Sequence, residues 1–312
     1  MPRRGGEERM VPSAEFGSYY GRPILKRPRW KAPQMPGYLY FGGLSGAAAA
    51  MAAMADATGR RRLSLTGRIT ALTAVAAGSA LLIDELGRPE RFLHMLRVFK
   101  PTSPMSVGSW ALAAHGGLTG AAAASAVTGI APRLGRAAGA GAALTGPVLA
   151  TYTGVLMADT AVPAWHEGYR HLPLLFAGSA LASAGAVGMA AVPGREGAPA
   201  RRMVMLGAGL ELAAAGTLER GKGMREEPEL VSEPYRIGRA GALLGYGRGL
   251  TAAGAAGALV AGRSRTAAVL SALAVTGGAL CTRFAVLYAG HASAEDPKYT
   301  VVPQRARINS GA

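Results

Sequence analysis

Charged residues along this chain are clustered, and the stretches between the clusters carry the first structural signal. No Lys, Arg, Asp or Glu occurs within residues 32–55, 101–132, 137–158 or 172–194. A helix needs about 20 residues to cross a hydrocarbon layer about 30 Å thick, and each of these stretches is long enough. Four more are nearly clean. Ile69–Ile83 is short and runs into Asp84, Met203–Leu218 carries Glu211, Ala240–Gly262 carries Arg248, and Thr266–Gly290 carries Arg283. The pattern predicts an all-α integral membrane protein with eight transmembrane helices, near 37–57, 66–85, 107–130, 137–158, 172–192, 203–218, 240–262 and 266–290. A basic polar tail over residues 1–36 precedes this membrane domain (37–291), and a C-terminal tail over 292–312 follows it.

Composition changes the picture in two ways. The mean hydropathy is only +0.20, because the apolar stretches are built from Ala and Gly rather than Leu and Ile. Small residues let helix backbones approach closely, and Gly42-Gly43-xx-Gly46 and Gly178-x6-Gly185 have that character. A soluble Ala-rich bundle would carry a charged face at every turn, which these stretches lack. Charged residues make up 17% of the chain, against roughly 25% in a typical soluble domain. A single Cys excludes a disulfide scaffold, and also an iron–sulfur cluster or Cys-based zinc site built from this chain alone. With 6% aromatics and no basic–aromatic interleaving, the net charge of +16 does not point to a nucleic-acid platform. Lys and Arg in the tails and connections number 21 on the N-terminal side of the expected helices and 11 on the other, which predicts both termini in the cytoplasm. The polar start and the long first apolar stretch read as an uncleaved N-terminus.

The most informative connection runs from Leu81 to Phe92, Leu-Leu-Ile-Asp-Glu-Leu-Gly-Arg-Pro-Glu-Arg-Phe. An acid stands where the second helix leaves hydrocarbon, a Gly and a Pro then break the helix, and Arg88 and Arg91 follow. Such an acid either takes and gives a proton or serves as a helix-end carboxylate paired with an Arg. Asp84-x-Leu-Gly-Arg-Pro-Glu-Arg-Phe, followed by Lys100-Pro-Thr-Ser-Pro-Met-Ser-Val-Gly-Ser-Trp110, resembles the signature of the NrfD-like polysulfide reductase membrane subunits. Tyr38-x-Tyr40-Phe41-Gly42-Gly43, Tyr152-Thr153-Gly154, Val162-Pro163-Ala164-Trp165 and Ala294-Glu295-Asp296-Pro297-Lys298-Tyr299-Thr300 are similar to it as well.

The resemblance implies two four-helix bundles and a membrane subunit of a respiratory oxidoreductase complex. Such a subunit exchanges electrons and protons between a membrane quinone pool, menaquinone or ubiquinone, and an iron–sulfur partner. That partner is a four-cluster ferredoxin-like subunit that leads on to a molybdopterin subunit. The catalytic residue implied is Asp84, with Arg88, Tyr152 and Trp110 beside it in the quinone pocket. Asn and His near the start of the first helix, present in some relatives, are replaced here by Tyr40 and Gly42-Gly43.

The residues themselves agree with a chain that holds no redox centre. Of the five His, only His115 lies well inside an expected helix, so a bis-His haem has no facing pair, and no metal site is expected. Glu211, Arg248 and Arg283 fall inside expected helices, where each charge costs about 2.5–3.5 kcal/mol. Pairing of Glu211 with Arg248 or Arg283 is the expected remedy, either as a proton path or as an ion pair that fixes packing. Trp165-His166-Glu167 reads as an interfacial anchor, and residues 218–239 as a solvated connector. Two other functions remain open at this point. One is a secondary transporter or ion channel, and the other a passive membrane anchor without a working quinone site.

Overall fold

The computed structural model describes residues 24–310, with side chains through residue 308. The described residues are mostly helical, and none of them forms a strand. The long helices are α1 (Gln34–Ala57), α2 (Arg61–Leu86), α4 (Pro104–Thr128), α5 (Pro132–Ala158), α7 (Leu172–Ala191), α8 (Ala198–Glu219), α10 (Gly238–Val260) and α11 (Arg265–Glu295). Short helices α3 (Glu90–Met95), α6 (Pro163–Glu167) and α9 (Pro228–Ser232), with the C-terminal α12 (Lys298–Ser310), lie in the connections and tail. Helices α1, α2, α5, α7 and α11 are long and apolar enough to cross a membrane. The other three are diluted by Gly and polar residues, including His115 in α4, Glu211 in α8 and Arg248 in α10.

Local sequence sets the ends. Gly87 (φ 70°) and Gly129 (φ 74°) stop α2 and α4 in the left-handed region that glycine adopts without strain. Ser103 and Ser264 cap α4 and α11 by accepting from the N–H of Ser106 and Ala267. Several helices exceed their charge-free cores. The α2 helix starts at Arg61 rather than near 66, and α11 runs on to Glu295, because flanking polar residues still satisfy helical backbone geometry.

Consecutive helices pack in pairs, α1 on α2, α4 on α5, α7 on α8 and α10 on α11. The α5 helix also packs on α1, and α7 touches α1, α5 and α11. Small residues make these contacts close. At the α1–α5 crossing Gly46 faces Gly146, and at the α7–α8 crossing Gly178 faces the backbone of Gly207 and Glu211.

The two ends of the molecule differ. Four connections at one end are short, residues 58–60, 129–131, 192–197 and 261–264. The other end carries residues 24–33 and the longer connections with α3, α6, α9 and α12. Beneath those connections lies a core of large side chains, including Trp165, Phe176, Leu218 and Tyr235. The core towards the short-turn end is mostly Ala.

The expected solvated connector is structured in this cap. Tyr235 is fully buried and donates its hydroxyl to Ala164 O at 3.0 Å, and the Arg225 N–H donates to Glu167 at 2.6 Å. Trp165 is likewise not an interfacial anchor. It is completely buried, donates from Nε1 to Val286 O at 2.7 Å and stacks on Trp30 with ring centres 5.2 Å apart.

Candidate functional site

The C-terminal turn of α2 positions two adjacent carboxylates at the capped end. Successive residues on a helix point about 100° apart, so the two face different surroundings. Asp84 is exposed, and its Oδ2 accepts from Gln34 Nε2 at 2.9 Å. Glu85 turns inward with Leu82 and Leu86, the face at i−3 and i+1. Its Oε1 accepts the Lys31 N–H at 3.0 Å, while Oε2 is buried without a partner.

Glu85 lines a cavity of about 80 Å³ that is otherwise almost wholly apolar. Trp30 from the segment before α1, and Met35 and Tyr38 from α1, form one wall. Met95 from α3, together with Met105 and Ser109 from the first turns of α4, forms another. Tyr152 and Leu156 of α5 complete it. Tyr38 and Tyr152 are 4% and 7% exposed, so each offers a hydroxyl in a nearly dry setting. Tyr152 is seated by Gly108, where any side chain would collide with its ring.

Of the residues expected in a pocket, Tyr152 lines the cavity, whereas Asp84, Arg88 and Trp110 do not. Arg88 is exposed in the turn after α2. Trp110 is 40% exposed, donates weakly to Val98 O at 3.4 Å and lies edge-on to Phe99. Glu85, Tyr38 and Trp30 were missed as site residues. The spacing Leu82-x-x-Glu85-Leu86 carries the signal, since it sets Glu85 rather than Asp84 on the apolar face.

The charges inside the other helices separate into two groups. Arg248 does not join Glu211. It pairs instead with Glu219 at the C-terminal end of α8, and its side chain is 44% exposed. Glu211 and Arg283 are 2% and 1% exposed and share one buried cluster. Thr282 donates to Glu211 Oε1 at 2.9 Å, while Arg283 donates to Phe176 O at 3.2 Å with its guanidinium 3.9 Å from the Phe176 ring centre. Asp56 and Arg68 pair at the short-turn end.

Outside the spans, the cap holds a further charged group. Glu233 is paired with Lys298 at 2.8 Å and accepts from the Tyr299 hydroxyl at 2.9 Å. These two bonds hold the Glu233 carboxyl below its ordinary range, while Lys298 is raised mainly by the Glu233 bond. Tyr299 is pushed up to about 12, first by burial and then by its bond to Glu233.

No curated protein matches the chain. The family model for NrfD, polysulphide reductase, matches residues 26–215, a span that includes α1, α2, the α2–α4 connection and the whole cavity wall. With that match over well over half its length, the chain belongs to the NrfD, polysulphide reductase, family of membrane proteins.

Proposed function

We propose that this chain is the quinone-reactive membrane subunit of a respiratory oxidoreductase complex, and that the cavity beside Glu85 takes the quinone head group. In this reading all eight long helices cross the cell membrane, with α1, α2, α4 and α5 as one four-helix bundle and α7, α8, α10 and α11 as the other. Both termini and the cavity then lie on the cytoplasmic side.

The observation that carries the reading is the pairing of an apolar cavity with a single buried carboxylate oxygen that has no partner. The residues fit a quinone. Its ring is apolar, its oxygens need donors or acceptors, and a cavity of about 80 Å³ is several times the roughly 10–15 Å³ that one water needs. A quinone, when bound, supplies the two-electron, two-proton chemistry. Glu85 Oε2 holds or accepts a proton at the ring oxygen, Tyr38 and Tyr152 offer hydroxyls that orient the ring, and Met35, Met95, Met105 and Leu156 exclude water. Asp84 and Arg88 stand at the rim, where they meet solvent or a partner. Since this chain supplies one Cys and no paired His for a metal centre, the electrons pass to an iron–sulfur subunit docked on the capped face and onward to a molybdopterin subunit. Glu211 and Arg283, without Arg248, remain candidates for a proton path in the second bundle. That path is refuted if Glu211→Gln leaves proton release in reconstituted vesicles unchanged.

The test uses Trp30, one of three Trp in the chain, as a reporter in the cavity wall. A quinone analogue should quench its fluorescence saturably, and Trp30→Phe should remove that component. In the purified complex, Glu85→Gln should slow quinol-linked electron transfer about 10²-fold or more, the range of a lost acid–base group, while Asp84→Asn has a smaller effect. Equal losses in the two variants would overturn the assignment to Glu85, and absence of saturable quenching would overturn the cavity itself.

A further inference from the structure

Deeper in the same four helices lies a buried histidine that the cavity does not use. Ser45, His115 and Thr145 lie seven, six and seven residues along α1, α4 and α5 from the cavity residues Tyr38, Ser109 and Tyr152. At 1.5 Å per residue that is about 10 Å further from the capped end, near the middle of each helix. Leu112 and Leu149, 3% and 0% exposed, fill the turns between. His115 itself is fully buried.

Its ring is held at both nitrogens. Nε2 lies 3.0 Å from Ser45 Oγ, and Nδ1 lies 2.8 Å from Thr145 Oγ1. Ser45 donates its one hydroxyl proton to Ala71 O at 2.7 Å, so it accepts the Nε2–H. Thr145 has a choice. Its hydroxyl either donates to Nδ1 or turns to the carbonyl of Ala142 at 3.1 Å or Gly141 at 3.3 Å and accepts an Nδ1–H. The first arrangement satisfies a neutral ring and the second a charged one. The ring can therefore gain or lose a proton at Nδ1 with one hydroxyl rotation and no orphaned bond.

Between this shell and the short-turn end lie a charged pair and a small void. Asp56, about a third exposed at the end of α1, pairs with Arg68 of α2, which is 9% exposed. Arg68 donates from Nη1 to Ala122 O at 3.3 Å, and its Nε is buried with no partner. Beside it lies a void of about 10 Å³, the space of one water, lined by Ala and Gly apart from Arg68 and Thr119. Two of those alanines, Ala71 and Ala142, are the residues whose carbonyls accept from Ser45 and Thr145. Thr119 sits one turn from His115 and donates to its carbonyl at 2.8 Å, leaving lone pairs free for a water. Of the other charges on the packed helices the nearest is Arg283 of α11, whose Nη2 lies 3.7 Å from where a Cβ would sit on Gly43, two residues before Ser45. The α4 and α7 helices have none, α5 has only Arg133 and Arg136 in its first turns, and α2 adds Arg61 and Arg62 at one end and Asp84 and Glu85 at the other.

We propose that His115 is a proton-loading residue at mid-depth, charged and discharged from the face opposite the cavity by way of Asp56 and a water held by Arg68. The step is proton transfer alone. A proton taken from solvent by the Asp56 carboxylate passes along the water and the Thr145 hydroxyl to Nδ1, each O–H that forms replacing one that breaks. Arg68 keeps its own protons and orients the water through Nε–H. The inference rests on reading these helices as membrane spans and not on what fills the cavity.

The full-length protein with 15N-labelled histidine in lipid nanodiscs tests it, with the His115 signals assigned by their loss in His115→Gln. On acidification the ring should reversibly gain a second N–H. Thr145→Val, which removes the acceptor, should lower its proton affinity about tenfold or more, and Thr145→Ser should restore it. In vesicles with one protein orientation, the imidazolium infrared band should follow a pH step on the Asp56 side, several-fold more slowly in Asp56→Asn. A ring that keeps one state wherever the protein stays folded, or that answers only to the cavity side, overturns the proposal. Trp30 quenching on the same samples reports the cavity separately. Saturable quenching with a silent His115 sinks this inference alone, and a titrating His115 without quenching sinks only the cavity reading.

Discussion

The α1–α5 crossing offers a test in which one helix supplies both the perturbation and its control. A Cβ added at Gly46 would sit 3.0 Å from the carbonyl carbon of Gly146 and 3.1 Å from its Cα, and closer still to its oxygen. A Cβ at Gly146 meets the mirror arrangement on Gly46. Non-bonded carbon atoms prefer about 3.5–4.0 Å, so Gly46→Ala must part the helices by roughly 1 Å. Neither obstacle is a flexible side chain, so the strain cannot be relieved by a rotamer change. Overpacking of this kind costs about 1–3 kcal/mol. Gly42, one turn earlier on α1, has nothing within 4 Å of its added Cβ. Gly42→Ala should therefore be neutral or stabilise by up to about 1 kcal/mol through helix propensity. Thermal or detergent unfolding of the two variants beside the parent reads the difference. Gly46→Ala should unfold first, and the double variant with Gly146→Ala should lose less than the sum of the single losses, because one separation accommodates both methyls. Equal stability of Gly46→Ala and Gly42→Ala would refute the close crossing.

Two further outcomes follow from the charged groups. Arg283→Met removes a fully buried guanidinium that bonds Phe176 O and lies over the Phe176 ring, and should destabilise by about 1–3 kcal/mol, with Glu211→Gln added to test whether the two charges, which form no direct ion pair, are coupled. Arg248→Met removes a half-exposed pair with Glu219 and should stay within about 1 kcal/mol, so comparable unfolding shifts for the two Arg variants would contradict their placement. The docking of α12 should depend on pH from both sides. Glu233 is depressed in the folded state, so its contribution is present at neutral pH and disappears as pH falls through its lowered folded value. Lys298 and Tyr299 are raised, so theirs is present at neutral pH and disappears at alkaline pH, for Tyr299 above about 10 and towards about 12. Hydrogen exchange of residues 298–308 should accelerate at either extreme, and Glu233→Gln should weaken the acid limb while leaving the protein folded, the remainder coming from Glu226 with Arg307 and Asp296 with Lys298. An unchanged acid limb in that variant would refute the cluster.

The charge-free stretches were sufficient to read an all-helical membrane chain, because insertion into hydrocarbon is governed by composition over about 20 residues and tolerates error in any one position. The resemblance at Asp84 to Trp110 was sufficient for the family. Which face each side chain presents was harder to read. Asp84 and Glu85 are chemically similar neighbours, and only the about 100° step between them decides which enters the cavity. Arg248 and Arg283 looked alike as intrahelical cations. Arg248 lies within reach of Glu219 and snorkels towards the capped end, while Arg283 is enclosed by α7, α8 and α1. Trp165 and Tyr235 sit in polar stretches whose local pattern suggested exposure. Their burial comes from long-range packing of α6 and the 220–237 connection onto α11, which no window of sequence contains.

The same placement bears on whether this chain acts or only anchors. An anchor built from Ala- and Gly-rich helices needs nothing ionisable at mid-depth, since close backbone packing already joins them. Here Glu211 and Arg283 lie inside the helices, each at about 2.5–3.5 kcal/mol if charged, and interhelical hydrogen bonds in membranes return well under 2 kcal/mol apiece. Their cluster is not even fully satisfied, for Glu211 Oε2 and Arg283 Nε and Nη1 have no partner. His115 is different, since both its ring nitrogens are met in either protonation state. Leucine at these positions would hold the helices together at lower cost. A satisfied titratable ring in one helix set, an unsatisfied acid in the other and an orphaned carboxylate oxygen over an apolar cavity support the proposed proton-handling role, since close helix packing alone requires none of the three.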